Sequence, residues 1–246
     1  MALSMLIPCT LNSGVVSKTG TSWPTIVNAT VANTASSMQS VSIKRSAVSS
    51  PQLELGRALL NFNISVIPAG AIVTGASIRI PVTAASGGGA GGTGAYCGIT
   101  FYKTSQPQGP GIVGIQITDY NKAFWSYPLI DVGGGSGYNL NAGLMNVPFY
   151  NPALFTDLQN LNDFTVAMVL LNEASVPASG TQEILTFDLF TLANAGLVNL
   201  VVYYNYPYKV NSINPSLIKN VNGQTASHAV GFTGPTPVGI GKVNGV

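Results

Sequence analysis

The sequence predicts an all-β protein: a single antiparallel β-sandwich at about residues 38–208, flanked by extended N- and C-terminal arms. Three observations carry this. Short apolar segments alternate with a period of two, Gly- and Pro-rich turns separate them, and helix signals are nearly absent. At 246 residues the chain is long enough to bury a sizeable core as one domain.

The N-terminal arm, residues 1–37, is polar and small, with Gly14, Gly20 and Pro24, and carries one strand signal near Ile26–Val31. Strand signals start in earnest at Ser40–Lys44. The organising stretch follows, from Gly56 to Val82. In its first strand Ala58, Leu60, Phe62 and Ile64 point one way, and Arg57, Asn61 and Asn63 the other, as in a half-buried strand. Pro68-Ala69-Gly70 supplies a tight turn, Pro fixing φ and Gly tolerating φ > 0. The second strand, read as the other arm of a hairpin, places Ile72, Ala76, Ile78, Ile80 and Val82 on one face, with Ser77 and Arg79 opposite. Pro68, Gly70 and the branched residues argue against a helix.

Gly87, Gly89 and Gly92 spell a formal G-x-G-x-x-G, yet Ala95–Tyr102 continues as a strand. No helix N-terminus then faces a phosphate, so the run reads as a loop and not a dinucleotide site. Residues 104–143 form a long connection with an aromatic knot, Tyr120, Phe124, Trp125 and Tyr127. These are the candidate contact residues: they pack onto their own sandwich, stack on sugar rings, or fill a neighbour's groove. Strands resume at Leu144–Phe149. A helical turn at Pro152–Gln159 follows, with Asn151 as N-cap and Pro152 at its first position. Phe164–Leu171 is apolar on both faces. Glu183–Phe190 and Leu197–Tyr206 close the sandwich.

Residues 209–246 form the C-terminal arm. Ile218–Gly223 and Ile240–Gly245 repeat Ile, Val, Asn and Gly at the same offsets, and Asn-Gly is a strong hairpin signal. Ile218, Val221, Phe232, Ile240 and Val243 suit single anchors, each filling a pocket on an adjacent subunit.

Two resemblances are carried by these residues. The Phe-Asn-Ile-Ser strand, Ile-Pro-Ala-Gly-Ala and the Ala-Ser-Ile-Arg-Ile strand within Gly56–Val82 resemble the DNRLRE-type jelly-roll β-sandwich, whose modules occur in secreted polysaccharide-associated proteins and in virion proteins. The Lys-Val-Asn-Gly-Val ending is similar to short repeats near the ends of bacteriophage tail and other virion proteins. Together they imply a jelly-roll-like sandwich and either of two functions. One is a non-enzymatic virion protein, made in the host cytoplasm, that decorates the capsid or forms part of the tail or a fibre, with itself and other virion proteins as partners. The other is an extracellular module that binds cell-surface carbohydrate.

Composition separates them. Only 7% of residues are charged, against about 25% in an ordinary soluble domain. Such a surface suits a subunit covered by its neighbours first, and an extracellular adhesive module second. The net charge of +2, without a basic run, gives no electrostatic case for nucleic acid. No apolar run approaches the length of a membrane span, and the N-terminus lacks the basic segment of a signal peptide. Cys9 and Cys97 are too few for a disulfide scaffold or a zinc site and read as free thiols. No cofactor is expected. The one histidine, His228, sits in the tail without partners for a triad or metal site, and Asp131 beside Gly133–Gly135 is the only place a calcium ion is worth considering. The eight acids are scattered and read as solvated turn residues, so no catalytic residue is assigned.

Overall fold

The computed structural model describes residues 3–49, 51–87, 97–105, 114–130, 138–171, 173–190, 197–206, 220–221 and 224–225. Its strands are β1 Leu3–Pro8, β2 Gly14–Gly20, β3 Thr34–Ser36, β4 Ser40–Ser49, β5 Gln52–Asn63, β6 Ile72–Ser86 and β7 Cys97–Thr104. They continue with β8 Trp125–Pro128, β9 Tyr138–Leu140, β10 Gly143–Phe149, β11 Asp163–Leu170, β12 Gln182–Asp188 and β13 Asn199–Asn205. Two helices, α1 Trp23–Val27 and α2 Ala153–Asn160, lie outside the sheet, and β14 Asn220–Val221 pairs with β15 Gln224–Thr225.

Every described pairing is antiparallel, and thirteen strands form one hydrogen-bonded ladder ordered β1-β13-β6-β12-β4-β5-β11-β7-β8, with β10, β2, β3 and β9 branching from it. The branches arise because β5 and β6 are long. One side of β6 carries β10, and the other carries β13 and then β12. One side of β5 carries β2, and the other carries β4 and then β11. The ladder therefore folds over itself into two layers, β10-β6-β13-β1 and β3-β2-β5-β11-β7, linked through β12 and β4. Their facing sides form the main core: Ile78, Val147 and Leu200 from one layer, Leu60, Phe62, Val166 and Phe101 from the other, all fully buried. Phe101 and Phe149 meet edge to face across the layers, with centroids 5.6 Å apart. The expected all-β, sandwich-like architecture is the one observed.

The structure corrects several local expectations. The stretch from Gly56 to Val82 is not a hairpin. The strands β5 and β6 belong to opposite layers, and a 3-10 turn at Ile64–Val66 plus the Pro68–Ala71 turn carries the chain between them. Their apolar faces meet across the core rather than side by side. Ile72 points outward, 48% exposed, and Val73 takes its place inside. A bulge opposite Tyr203 and Tyr204 inserts Thr74 and resets the alternation. Residues 3–36, expected as an arm, are instead built into the sandwich: β1 pairs with β13, and β2 with β5 and β3. The strand expected at Ile26–Val31 is replaced by α1, whose buried Trp23, Ile26 and Val27 follow helical rather than alternating spacing.

Residues 104–143, expected as a connection without strands, carry β8 and β9, both paired with β7. The helix expected at Pro152–Gln159 is present one residue later, with Pro152 rather than Asn151 at its N-cap and Asn151 Oδ1 accepting the Ala153 N–H at 3.0 Å. In the tail, β14 and β15 leave only Asn222 and Gly223 between them, the spacing of a two-residue hairpin. Ile218, Phe232, Ile240 and Val243 lie outside the described residues; Val221 contributes its backbone to β14.

Candidate functional site

The polar residues concentrate on the outer face of the second layer. The alternation of β5 turns Ala58, Leu60 and Phe62 into the main core, and so turns Leu55, Arg57 and Leu59 outward. That outer face is not open to water. Helix α1 and residues 114–125 roof it, forming a second core of Val16, Trp23, Ile26, Val27, Leu55, Leu59, Ile115, Tyr120 and Ala167. The strand β5 is thus buried on both sides, not on one as its polar residues suggested.

Arg57 lies at the centre of this second core, 1% exposed. Its Nε donates to Glu173 Oε2 at 3.0 Å and its Nη2 to Glu173 Oε1 at 2.6 Å, a bidentate pair. Nη1 donates to Tyr120 O at 2.6 Å and Nη2 also to Val27 O at 2.8 Å. The guanidinium carbon stands 4.0 Å from the Tyr120 ring centroid and 5.2 Å from that of Trp125. One side chain therefore ties together α1, the 114–125 segment and the loop after β11. Trp23 Nε1 donates to Glu173 O at 3.0 Å and fixes that loop again. A second pair repeats the device: Arg45 Nε and Nη2 reach Glu183 Oε2 and Oε1 at 3.1 and 3.0 Å, and Nη1 donates to Ser175 O at 2.7 Å.

The roof is shaped by short local bonds. The Gln116 N–H donates to Asp119 Oδ2 at 2.7 Å in a capping box that closes the 3-10 turn Ile117–Tyr120. Asn121 Oδ1 accepts the Ala123 N–H at 2.9 Å and starts the next turn. These bends deliver Tyr120 and Trp125 to the guanidinium. Trp125 in turn stacks on Tyr102, centroids 4.9 Å apart. Burial, aided by the Glu173 charge, pushes the Tyr102 hydroxyl above its usual range. Tyr127 donates to Asp157 Oδ2 at 2.7 Å and ties β8 to α2. Burial, together with that bond and the carboxylate charge, pushes its hydroxyl upward as well.

The structure splits the predicted aromatics: Tyr120 and Trp125 flank Arg57 in the second core, whereas Tyr127 packs against the main core and bonds Asp157. Tyr120 is fully buried, while Phe124, Trp125 and Tyr127 are half-buried. The Tyr120 hydroxyl is the one buried side-chain N or O atom without a hydrogen-bond partner among the described residues. The expectation that the acids are solvated fails for Asp119, Glu173 and Glu183, which are buried. Sequence reasoning missed the two arginine–glutamate pairs. The signal was present: in a chain so poor in charge, Arg45 and Arg57 sit inside strand segments rather than in turns.

These carboxylates are committed to structure. Glu173 and Glu183 are held by arginines, and Asp119 by its own turn, although burial raises its carboxyl above the usual range. Among the described residues no group of three or more His, Cys, Asp or Glu could hold a metal. The Cys9 thiol donates to Leu189 O at 3.4 Å, and burial pushes its pKa to about 11, so it is an unreactive thiol at neutral pH. Asp131, His228 and the Cys97 side chain lie outside the described residues, as do Gly89 and Gly92 of the glycine run. No described helix is long and apolar enough to cross a membrane. The arrangement can hold loops in fixed positions on a sandwich. No protein-family model matches the chain, and no curated protein matches it.

Proposed function

We propose that the protein is a non-enzymatic structural subunit of a bacteriophage virion, decorating the capsid or forming part of the tail or a fibre. It assembles through its sandwich surface and its C-terminal segment. The observation that carries this reading is the surface. The chain has ten basic and eight acidic residues, and five of these, Arg45, Arg57, Asp119, Glu173 and Glu183, are buried in the sandwich. What remains outside is sparser in charge than the composition alone suggests. It includes exposed apolar side chains such as Met38 at 66%, Val176 at 60% and Leu144 at 58%. A free soluble domain keeps far more charge outside than this, whereas a subunit buried among neighbours needs little. Of the aromatics on which the glycan-stacking alternative rests, Tyr120 is buried and Trp125 stacks on Tyr102, which favours the structural reading.

The test is presence in purified particles. Mass spectrometry of gradient-purified virions from the phage encoding this chain should find it, and a chain lacking residues 209–246 should fold with an unchanged melting temperature yet be absent from particles. Full-length chain absent from particles overturns the reading. Normal incorporation of the truncated chain removes the C-terminal segment from it.

A further inference from the structure

We infer that the free edge of β1 is an interface with the same edge of a second copy of this chain. The argument starts from hydrogen-bond alternation. The Cys9 N–H donates to Val198 O at 2.8 Å, in the same register that pairs Leu3 with Tyr204 and Pro8 with Asn199. In an antiparallel ladder bonded and non-bonded positions alternate, so the odd-numbered residues of β1 aim their N–H and C=O groups at β13. Ser4 and Leu6 then aim theirs away from the sheet. Among the described residues no strand pairs with that side of β1. The edge ends where the Thr10 N–H turns to Asn61 O at 2.8 Å. Pro8, the even residue just before, has no N–H to present there.

Natural edges are blunted by lysines, inward charges, bulges or proline. The β1 edge has only Pro8, at its very end, and leaves Ser4 and Leu6 unprotected. Leu3–Pro8 carries no charged side chain, its register with β13 is unbroken, and Leu6 is 52% exposed. Such an edge accepts another strand. The strand it fits best is its own copy. Cross-strand partners share a face, so two-fold antiparallel pairing must match odd residues with odd and even with even. Centred on Met5, it sets Leu3 opposite the copy's Ile7 and Ser4 opposite the copy's Leu6. The free N–H and C=O groups of Ser4 and Leu6 then satisfy those of the copy. Met5 and Ile7, which face the core, continue the core stripe from one molecule into the next. No like charges meet, because neither strand has any, and the contact closes as a dimer because it is isologous.

This inference deepens the self-assembly part of the proposal above and rests on that part alone. It is tested by amide exchange at Ser4 and Leu6, read at low and high concentration of the full chain alongside sedimentation. Exchange at both amides should slow about tenfold or more as the chain associates. Leu6→Lys should abolish that slowing and weaken association about tenfold or more, with the melting temperature of the monomer unchanged because the bonds to β13 remain. If that variant misfolds, Ser4→Lys takes its place. A chain that associates with no slowing at these amides overturns the inference and leaves self-assembly standing. A chain that stays monomeric at every concentration overturns both. Slowing that vanishes when residues 209–246 are removed makes the C-terminal segment the occupant, and overturns the inference too.

Discussion

Arg57 accounts for much of how this chain holds its outer layer. A desolvated guanidinium is costly unless its donors are matched, and here Nε, Nη1 and Nη2 all find oxygens. Removing the compensating charge while leaving the arginine buried is the damaging change. Glu173→Gln should lower unfolding free energy by about 3–5 kcal/mol, measured by denaturant titration. Adding Arg57→Met to that variant should recover a large part of the loss, which a double-mutant cycle reads directly. Near-additive losses would show that the pair is not coupled. The sequence marks Arg57 as lying off the main-core face of β5. It does not reveal the partner, because Glu173 is 116 residues away and only the folded topology brings the two together.

At the scale of elements, β5 is the strand on which both cores depend, its odd residues roofed and its even residues inside. Phe62 is fully buried between the layers and pairs with Phe164 in register. Phe62→Ala should therefore cost about 3–5 kcal/mol by cavity formation. A loss under about 1 kcal/mol in the same titration would contradict the placement. Period-two patterning made β5, β6, β12 and β13 legible, a run apolar on both faces made β11 legible, and the Asn151-Pro152 start signal made α2 legible. Pairing was not legible. Alternation says which way a side chain points, not which strand lies beside it, so β5 and β6 read as a hairpin when they are facing layers. The bulge at Thr74 was equally hidden in Ile72-Val73-Thr74, its one signal being the neighbouring Gly75, which packs against Tyr203.

At the scale of the whole molecule, the N-terminal segment belongs to both layers. The sequence predicts an arm over residues 1–37 because Gly14, Gly20, Ser and Thr dilute the apolar pattern. Ile7, Val16, Trp23 and Ile26 nevertheless sit in the two cores. Deleting residues 1–22 should abolish cooperative unfolding, followed by circular dichroism against temperature, since it strips β1 and β2 from opposite layers. A truncated chain melting like the full one would refute that assignment. The candidate site was legible only in part: the sequence collected its aromatics into one segment, but not the arginine they enclose.

The pairing of Leu3 with Tyr204 also sets the order of events during synthesis. At roughly 5–20 residues per second, the first strand leaves the ribosome about 10–40 s before its partner exists. The strands β4 and β5 wait similarly for β12 and β11. Native contacts of such long sequence separation form slowly, since each must close a long loop first. In the nascent N-terminal half, β2, β3, β4 and β5 can pair with one another, but β1 and the far sides of β4 and β5 stay open for much of translation, so yield in a cell depends on what shields those edges during the delay.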